Sequence, residues 1–176
     1  MKTLIITVHP DIEKSVINKR WMEELKKYPE KYTVHSLYEA YPDEKIDVAR
    51  EQQLLEAYDK IVFQFPFYWF SSPPLLKKWL DEVLLYGWAY GSKSGYRLGG
   101  KTISLAVTAG IDEEGYRTGG KYKYTMNELF RPYELTFDYI KADYQEPFVY
   151  YGIENNPSGE WIERSVPMYL EFLDAL

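Results

Sequence analysis

The stretch "KIVFQFPFYWFSSPPLLKKWLDEVL" (residues 60–84) decides how this chain folds. Its opening run, Lys60 to Phe65, is too apolar to have a wet face, as expected of a strand covered on both sides. Four aromatic residues then follow one another, Phe67, Tyr68, Trp69 and Phe70. Ser72 offers a helix cap, and Pro73 and Pro74 suit a first turn that has no use for their missing N–H groups. Beyond them Leu75, Leu76, Trp79, Leu80, Val83 and Leu84 fall on one helical stripe. A buried strand, a loop and an amphipathic helix make most of a βαβ unit.

The same grammar repeats outward in both directions. "TLIITV" (3–8), "YTVHSL" (32–37), "KTISLAV" (101–107) and "PFVYY" (147–151) supply four further strands. Between them lie helical stretches. One carries Ile17, Trp21 and Leu25 at spacing four, and one is capped by Asp47. Another covers roughly Met126 to Ile140 despite Pro132, and the last begins after Ser158, with Pro167 predicted to kink or split it. Alternation of this kind predicts an α/β domain with a parallel sheet and helices on both faces, spanning residues 1–176 as one unit.

Composition narrows the function. A net charge of −6 without a basic stripe argues against nucleic-acid binding. The absence of cysteine removes disulfides, thiolate metal sites and a cysteine nucleophile. The N-terminal apolar run is too short for a signal segment and no stretch is long enough to span a membrane, so a cytoplasmic protein is expected. Three adjacent carboxylates, Asp112 to Glu114, read as a solvated turn rather than a metal site. Neither His9 nor His35 sits in a hydrolytic constellation. The surplus is aromatic, with 18 tyrosines.

Ligands of open α/β sheets bind outside the C-terminal strand ends, where the long loops of this chain lie. No GxGxxG follows the first strand; "HPDIEKSVIN" stands there instead. Ser15 either caps the next helix or gives its hydroxyl to a phosphate, with His9 beneath and Asn18 one turn in. The loop after the third strand, Pro66 to Phe70, either plugs the core or walls a flat heteroaromatic ligand. Four consecutive side chains cannot all face one core, so some face the crevice. After the fourth strand Thr108, Ala109 and Gly110 are small enough to let backbone approach a ligand. Tyr116 closes that loop.

These residues, in this order, resemble the flavodoxin-like NAD(P)H:quinone oxidoreductases. The resemblance is to their short bacterial branch, which includes the ancillary subunit of glutathione-regulated potassium efflux and general-stress reductases. It is carried by His9 to Asn18, "SLYEAYPDEKID" (36–47), residues 63–84, "GWAYG" (87–91) and "TAG" (108–110). The resemblance implies a flavodoxin-like three-layer sandwich with strand order 2-1-3-4-5. It also implies a flavin, FMN or FAD, with NAD(P)H as co-substrate and two-electron, ping-pong transfer to a quinone or similar electrophile. His9, Ser15, Val16, Ile17 and Asn18 would hold the phosphate. Pro66 through Phe70 would line the ring edge, with Thr108, Ala109, Gly110 and Ile111 opposite. Tyr116 matches the family's active-site tyrosine, and Tyr122 stands nearest to the position of a histidine found in larger members. Where the family often has Thr-Thr-Gly-Gly, this chain has "TAGI", so one hydroxyl is missing and Ile111 adds bulk. A homodimer with shared active sites is implied, with "GWAYG" near its interface. So is the alternative of an ancillary subunit held on the inner face of the membrane through a transporter. A flavodoxin-type electron carrier is the remaining alternative.

Overall fold

The computed structural model describes residues 2–93, 95–155 and 158–176. Strands β1 (Thr3–Thr7), β2 (Tyr32–Ser36), β3 (Lys60–Pro66) and β4 (Thr102–Thr108) pair in parallel in the order β2-β1-β3-β4. The fifth position differs from the continuous strand predicted over residues 147–151. Two short strands, β5 (Asp143–Tyr144) and β6 (Phe148–Tyr150), both run parallel to β4. Pro147 between them has no N–H for a ladder, and Ser104 Oγ serves the break, within reach of the carbonyls of Gln145 (3.3 Å) and Glu146 (3.0 Å). The order 2-1-3-4-5 is otherwise as expected.

Alternate residues of the central strands serve opposite layers. Leu4, Ile6, Phe63 and Leu105 face helices α3 (Val48–Glu56), α4 (Pro74–Val83) and α5 (Met126–Tyr139). Ile5, Val62 and Ala106 face α1 (Ile17–Leu25) and α6 (Gly159–Ala175), after a one-turn α2 (Leu37–Ala40) has followed β2. Part of the aromatic surplus is therefore packing. Trp21 stacks on Tyr169 with ring centroids 4.3 Å apart, and Phe63 stacks on Phe137 at 5.6 Å.

Three local expectations need correction. Ser72 does not cap α4, whose start is set by Pro73 and by Pro74 at its first position. Pro167 does not split α6, because its buried stripe of Trp161, Val166, Tyr169 and Leu173 holds the helix on the sheet across the missing hydrogen bond. Leu37 belongs to α2 rather than to the second strand. Asp47, Thr125 and Ser158 do cap their helices by side-chain bonds, Thr125 within a full capping box.

One buried charge fastens the outer layer. Glu51 of α3 is fully buried and takes hydrogen bonds from Trp79 Nε1 (2.8 Å) and Tyr41 Oη (2.6 Å), with His35 Nε2 at 2.8 Å. Burial alone would raise its pKa. The bonds to His35, Tyr41 and Trp79 outweigh that and hold the carboxyl below its usual range. His35 is thus a structural residue joining β2 to α3.

Candidate active site

The register places three loop exits level at one rim. Thr7 lies beside Gln64, and Pro66 beside Thr108, so the loops after β1, β3 and β4 open side by side. A fourth loop, residues 151–155, joins them after β6. Its backbone is strapped to the loop after β4: Gly152 N–H donates to the Ala109 carbonyl (3.0 Å) and Glu154 N–H to the Gly110 carbonyl (2.9 Å). Asn155 Nδ2 adds a bond to Asp112 at 2.9 Å.

Between these loops lie two adjoining chambers. The larger, about 370 Å³, is lined by His9, Lys14, Ser15, Val16 and Asn18 on one side and Pro66, Phe67, Tyr68 and Thr108 on the other. The smaller, about 160 Å³, is lined by Phe67, Trp69, Phe70, Ile111, Tyr116 and Tyr122. Phe67, Gly110 and Glu154 line both. A Cβ on Gly110 would meet the Glu154 carboxylate, so in this arrangement the Glu154 side chain occupies the space beside the glycine, between the two chambers.

The larger chamber ends on the start of α1. Ser15 is extended (φ −78°, ψ 126°) and its Oγ accepts the Asn18 N–H at 3.1 Å, which is a cap. That bond uses an oxygen lone pair and leaves the hydroxyl proton free to donate, so the two readings of Ser15 are compatible. The N–H groups of Val16 and Ile17 belong to the first turn, where no preceding turn supplies acceptors. Burial lowers the His9 pKa, partly opposed by Asp11. Nδ1 of the neutral ring accepts the Asp11 N–H at 3.2 Å, which makes Nε2 the donor. These donors gather at one end of a chamber that Asp11 and Glu154 also line.

A buried chain of hydrogen bonds fixes it. Tyr169 Oη donates to Gln64 Oε1 (2.8 Å), Gln64 Nε2 to Asn18 Oδ1 (3.2 Å) and Asn18 Nδ2 to Thr108 Oγ1 (3.0 Å). The start of α1 is therefore held on β3 and β4 by residues with almost no exposure.

The smaller chamber is walled by rings. Tyr68 and Ser71 exchange both backbone hydrogen bonds, at 3.0 and 2.9 Å, around Trp69 and Phe70. Both central residues have positive φ, 46° and 60°, the pattern of a type I′ turn that ordinarily takes Asn-Gly. Two bulky aromatics in left-handed backbone store strain of order 1–3 kcal/mol each, which clusters at ligand sites. Trp69 is 93% exposed at the tip, and Phe67 packs edge-on against Tyr116 with centroids at 5.9 Å. Tyr116 and Tyr122 lie 4.9 Å apart, and burial, then Tyr122 and Glu154, push the Tyr116 phenol up to about 12. It remains a proton-bearing donor throughout the neutral range.

The family model described as a flavodoxin-like fold matches residues 1–171. The chain belongs to this flavodoxin-like family. It is 47% identical to an uncharacterized NAD(P)H oxidoreductase of Bacillus subtilis over 99% of both chains. It is 37% identical to the ancillary protein KefG of the glutathione-regulated potassium-efflux system of Pectobacterium atrosepticum, over 94% of this chain and 95% of that one. Among solved structures, general stress protein 14 of Treponema denticola in complex with FMN superposes with a TM-score of 0.93 at 48% identity, covering 99% of each chain. An NADPH-quinone reductase from P. pentosaceus superposes with a TM-score of 0.87 at 29% identity, covering 98% of each.

Within this flavodoxin-like frame, most of the predicted site residues converge and two stand apart. Ile17 is fully buried in the α1–α6 layer, so only its backbone is available to a ligand. Ala109 is fully buried too, and its N–H and carbonyl are occupied by Tyr150, Gly152 and Ile153. Sequence reasoning missed Ile153 and Glu154. Their signal was the loop after the fifth strand, which a parallel sheet must bring to the same rim. Among the described residues no group of side chains could hold a metal ion, and no helix is long and apolar enough to cross a membrane.

Proposed function

We propose that this chain is a flavin-dependent NAD(P)H:quinone oxidoreductase. The observation that carries the reading is the pair of adjoining chambers, one ending on a helix N-terminus and the other walled by rings. FMN, which ends at its phosphate, suits that pair better than FAD, whose adenine needs further surface. The FMN complex of the Treponema relative supports the same choice.

Bound flavin supplies the two-electron chemistry, taking electrons from NAD(P)H and passing them to the acceptor. The chain binds, orients and excludes water. First-turn N–H groups of Val16 and Ile17, the Ser15 hydroxyl and His9 Nε2 hold the phosphate. Phe67, Tyr68, Trp69 and Phe70 give the ring contact area, and Ile111 borders it from the loop after β4. Tyr116 donates a hydrogen bond to the acceptor's oxygen, with Tyr122 fixing its ring. Both substrates use one opening, which gives ping-pong kinetics.

Tyr116→Phe is expected to lower kcat/KM for quinone by no more than about 10²-fold with flavin retained. Because the phenol titrates near 12, that deficit is expected to be flat between neutral and mildly alkaline pH. Steady-state kinetics on the flavin-loaded variant check both. The wider reading is tested by identifying the flavin released from purified protein, then following its bleaching by NADH or NADPH and its reoxidation by a quinone. Failure to take up FMN offered in excess ends the proposal.

A homodimer belongs to the same proposal. The groove between α4 and α5, about 700 Å³, is lined by Leu80, Leu84, Tyr90, Leu129, Leu135 and Tyr139, and the last two stand exposed. An apolar face of this kind suits a second copy. Light scattering is expected to give twice the chain mass of 20.9 kDa. The 37% identity with KefG supports a second role, docking on a transporter. Slow quinone turnover together with co-sedimentation on transporter-bearing membranes would put that role first.

A further inference from the structure

We infer that Glu154 is an electrostatic filter at the mouth of the site, favouring uncharged acceptors over anionic ones and disfavouring added negative charge on the bound ring. The inference rests on the oxidoreductase reading above. Its basis is the charge inventory of the crevice. Of the described side chains lining the smaller chamber, Glu154 is the one that carries charge; the others are aromatic, aliphatic or phenolic, besides Gly110. Its carboxylate lies over Gly110, at the joint of the two chambers, on a residue that is itself exposed.

Its backbone is held by hydrogen bonds, and among the described residues no salt bridge engages its carboxylate. Glu154 N–H is bound to the Gly110 carbonyl at 2.9 Å, and the neighbouring residues Gly152 and Asn155 are tied to Ala109, Ile111 and Asp112. Among the described residues no cation is paired with it: Lys14, which lines the larger chamber, is paired with Asp11 at 2.6 Å, and Lys121 lies over the Tyr122 ring, 5.2 Å from its centroid. The field already reaches the Tyr116 phenol, for which Glu154 is one of the causes of the upward shift. A carboxylate at an apolar, ring-lined opening acts on a charged ligand more strongly than it would in open water. Glu154 is exposed, and solvent screening keeps the effect moderate.

The test uses flavin-loaded wild type and Glu154→Gln, which keeps shape and removes charge. The readout is the ratio of kcat/KM for 1,4-naphthoquinone to that for its 2-sulfonate, at low and high salt. Neutralisation is expected to lower this ratio by roughly threefold to tenfold at low salt, with the difference shrinking as salt rises. A second readout is the midpoint potential of bound FMN, expected to rise; a tenfold change in relative affinity for reduced over oxidised flavin corresponds to about 30 mV. Glu154→Lys is expected to move both further in the same direction. If wild type binds FMN but neither the ratio nor the potential moves in the two variants, the filter is disproved while the oxidoreductase reading stands. If wild type takes up no FMN, the reading itself fails and the filter falls with it.

Discussion

Val16→Glu is expected to weaken FMN binding by about 10²-fold while leaving riboflavin binding nearly unchanged. Val16 is 41% exposed, lines the larger chamber and sits at the very start of α1. A carboxylate there is a good helix-terminus residue, worth roughly 0.3–1 kcal/mol of added stability to the free protein. To a phosphate on the same N–H groups it is a like charge. At a separation of about 6 Å and an effective dielectric near 20, each unit of charge costs about 3 kcal/mol, a factor of about 10². Stability and cofactor affinity therefore move in opposite directions. Flavin fluorescence titrations with FMN and with riboflavin, beside a thermal melt of the flavin-free variant, separate the two effects. Equal losses for both flavins would make Val16 a packing residue only. An unchanged FMN affinity would put the phosphate elsewhere.

Glu51→Ala is expected to destabilise the fold by about 3–5 kcal/mol, the range for removing one partner from a buried charged network. Three groups lose their acceptor at once: Tyr41 Oη, Trp79 Nε1 and His35 Nε2. A melting temperature lower by roughly 10 °C or more is the corresponding shift for a chain of this size. The pH dependence has a definite sign. The folded carboxyl titrates below its ordinary value of 4.5, so its contribution is full above that value and fades as pH falls through the folded pKa. The gap between wild type and variant is widest near neutrality and narrows in acid. Glu51 lines neither chamber, so FMN affinity measured well below the melting transition should hold. Melting curves from pH 7 down to pH 3 decide the matter: no gap at neutral pH would show the network to be unimportant, and a gap that stays constant across that span would show that the carboxyl's charge is not what carries it.

Much of the site was legible because loop position follows from strand periodicity. Once residues 3–8, 60–65 and 101–107 are read as buried parallel strands, His9, Phe67 and Thr108 must leave the sheet on the same side. Consecutive aromatics could not all be core, and Trp69 is indeed almost wholly exposed. Other features were not legible. The resemblance placed Ile17 at the site and small size placed Ala109 there, yet their side chains fall on the buried side of their elements. Glu154 was passed over because a lone glutamate in an acidic chain has no local signature. The link between Gln64, Asn18, Thr108 and Tyr169 joins four distant elements, and no spacing in the chain announces it.

The amino-acid order by itself determined the layered α/β architecture, the order of elements and the rim where a ligand would bind. Those depend on hydrophobic period and chain direction, which are local properties. Tertiary structure alone decided the left-handed turn at Trp69 and Phe70, the split fifth strand and the placement of Glu154 over Gly110. At the turn a local preference is overridden, since aromatics dislike positive φ; the strand break and the position of Glu154 depend on which neighbours the fold brings alongside. The Tyr68–Ser71 bonds close the turn, Pro147 and Ser104 make the break, and bonds to the distant loop after β4 hold the backbone at Glu154.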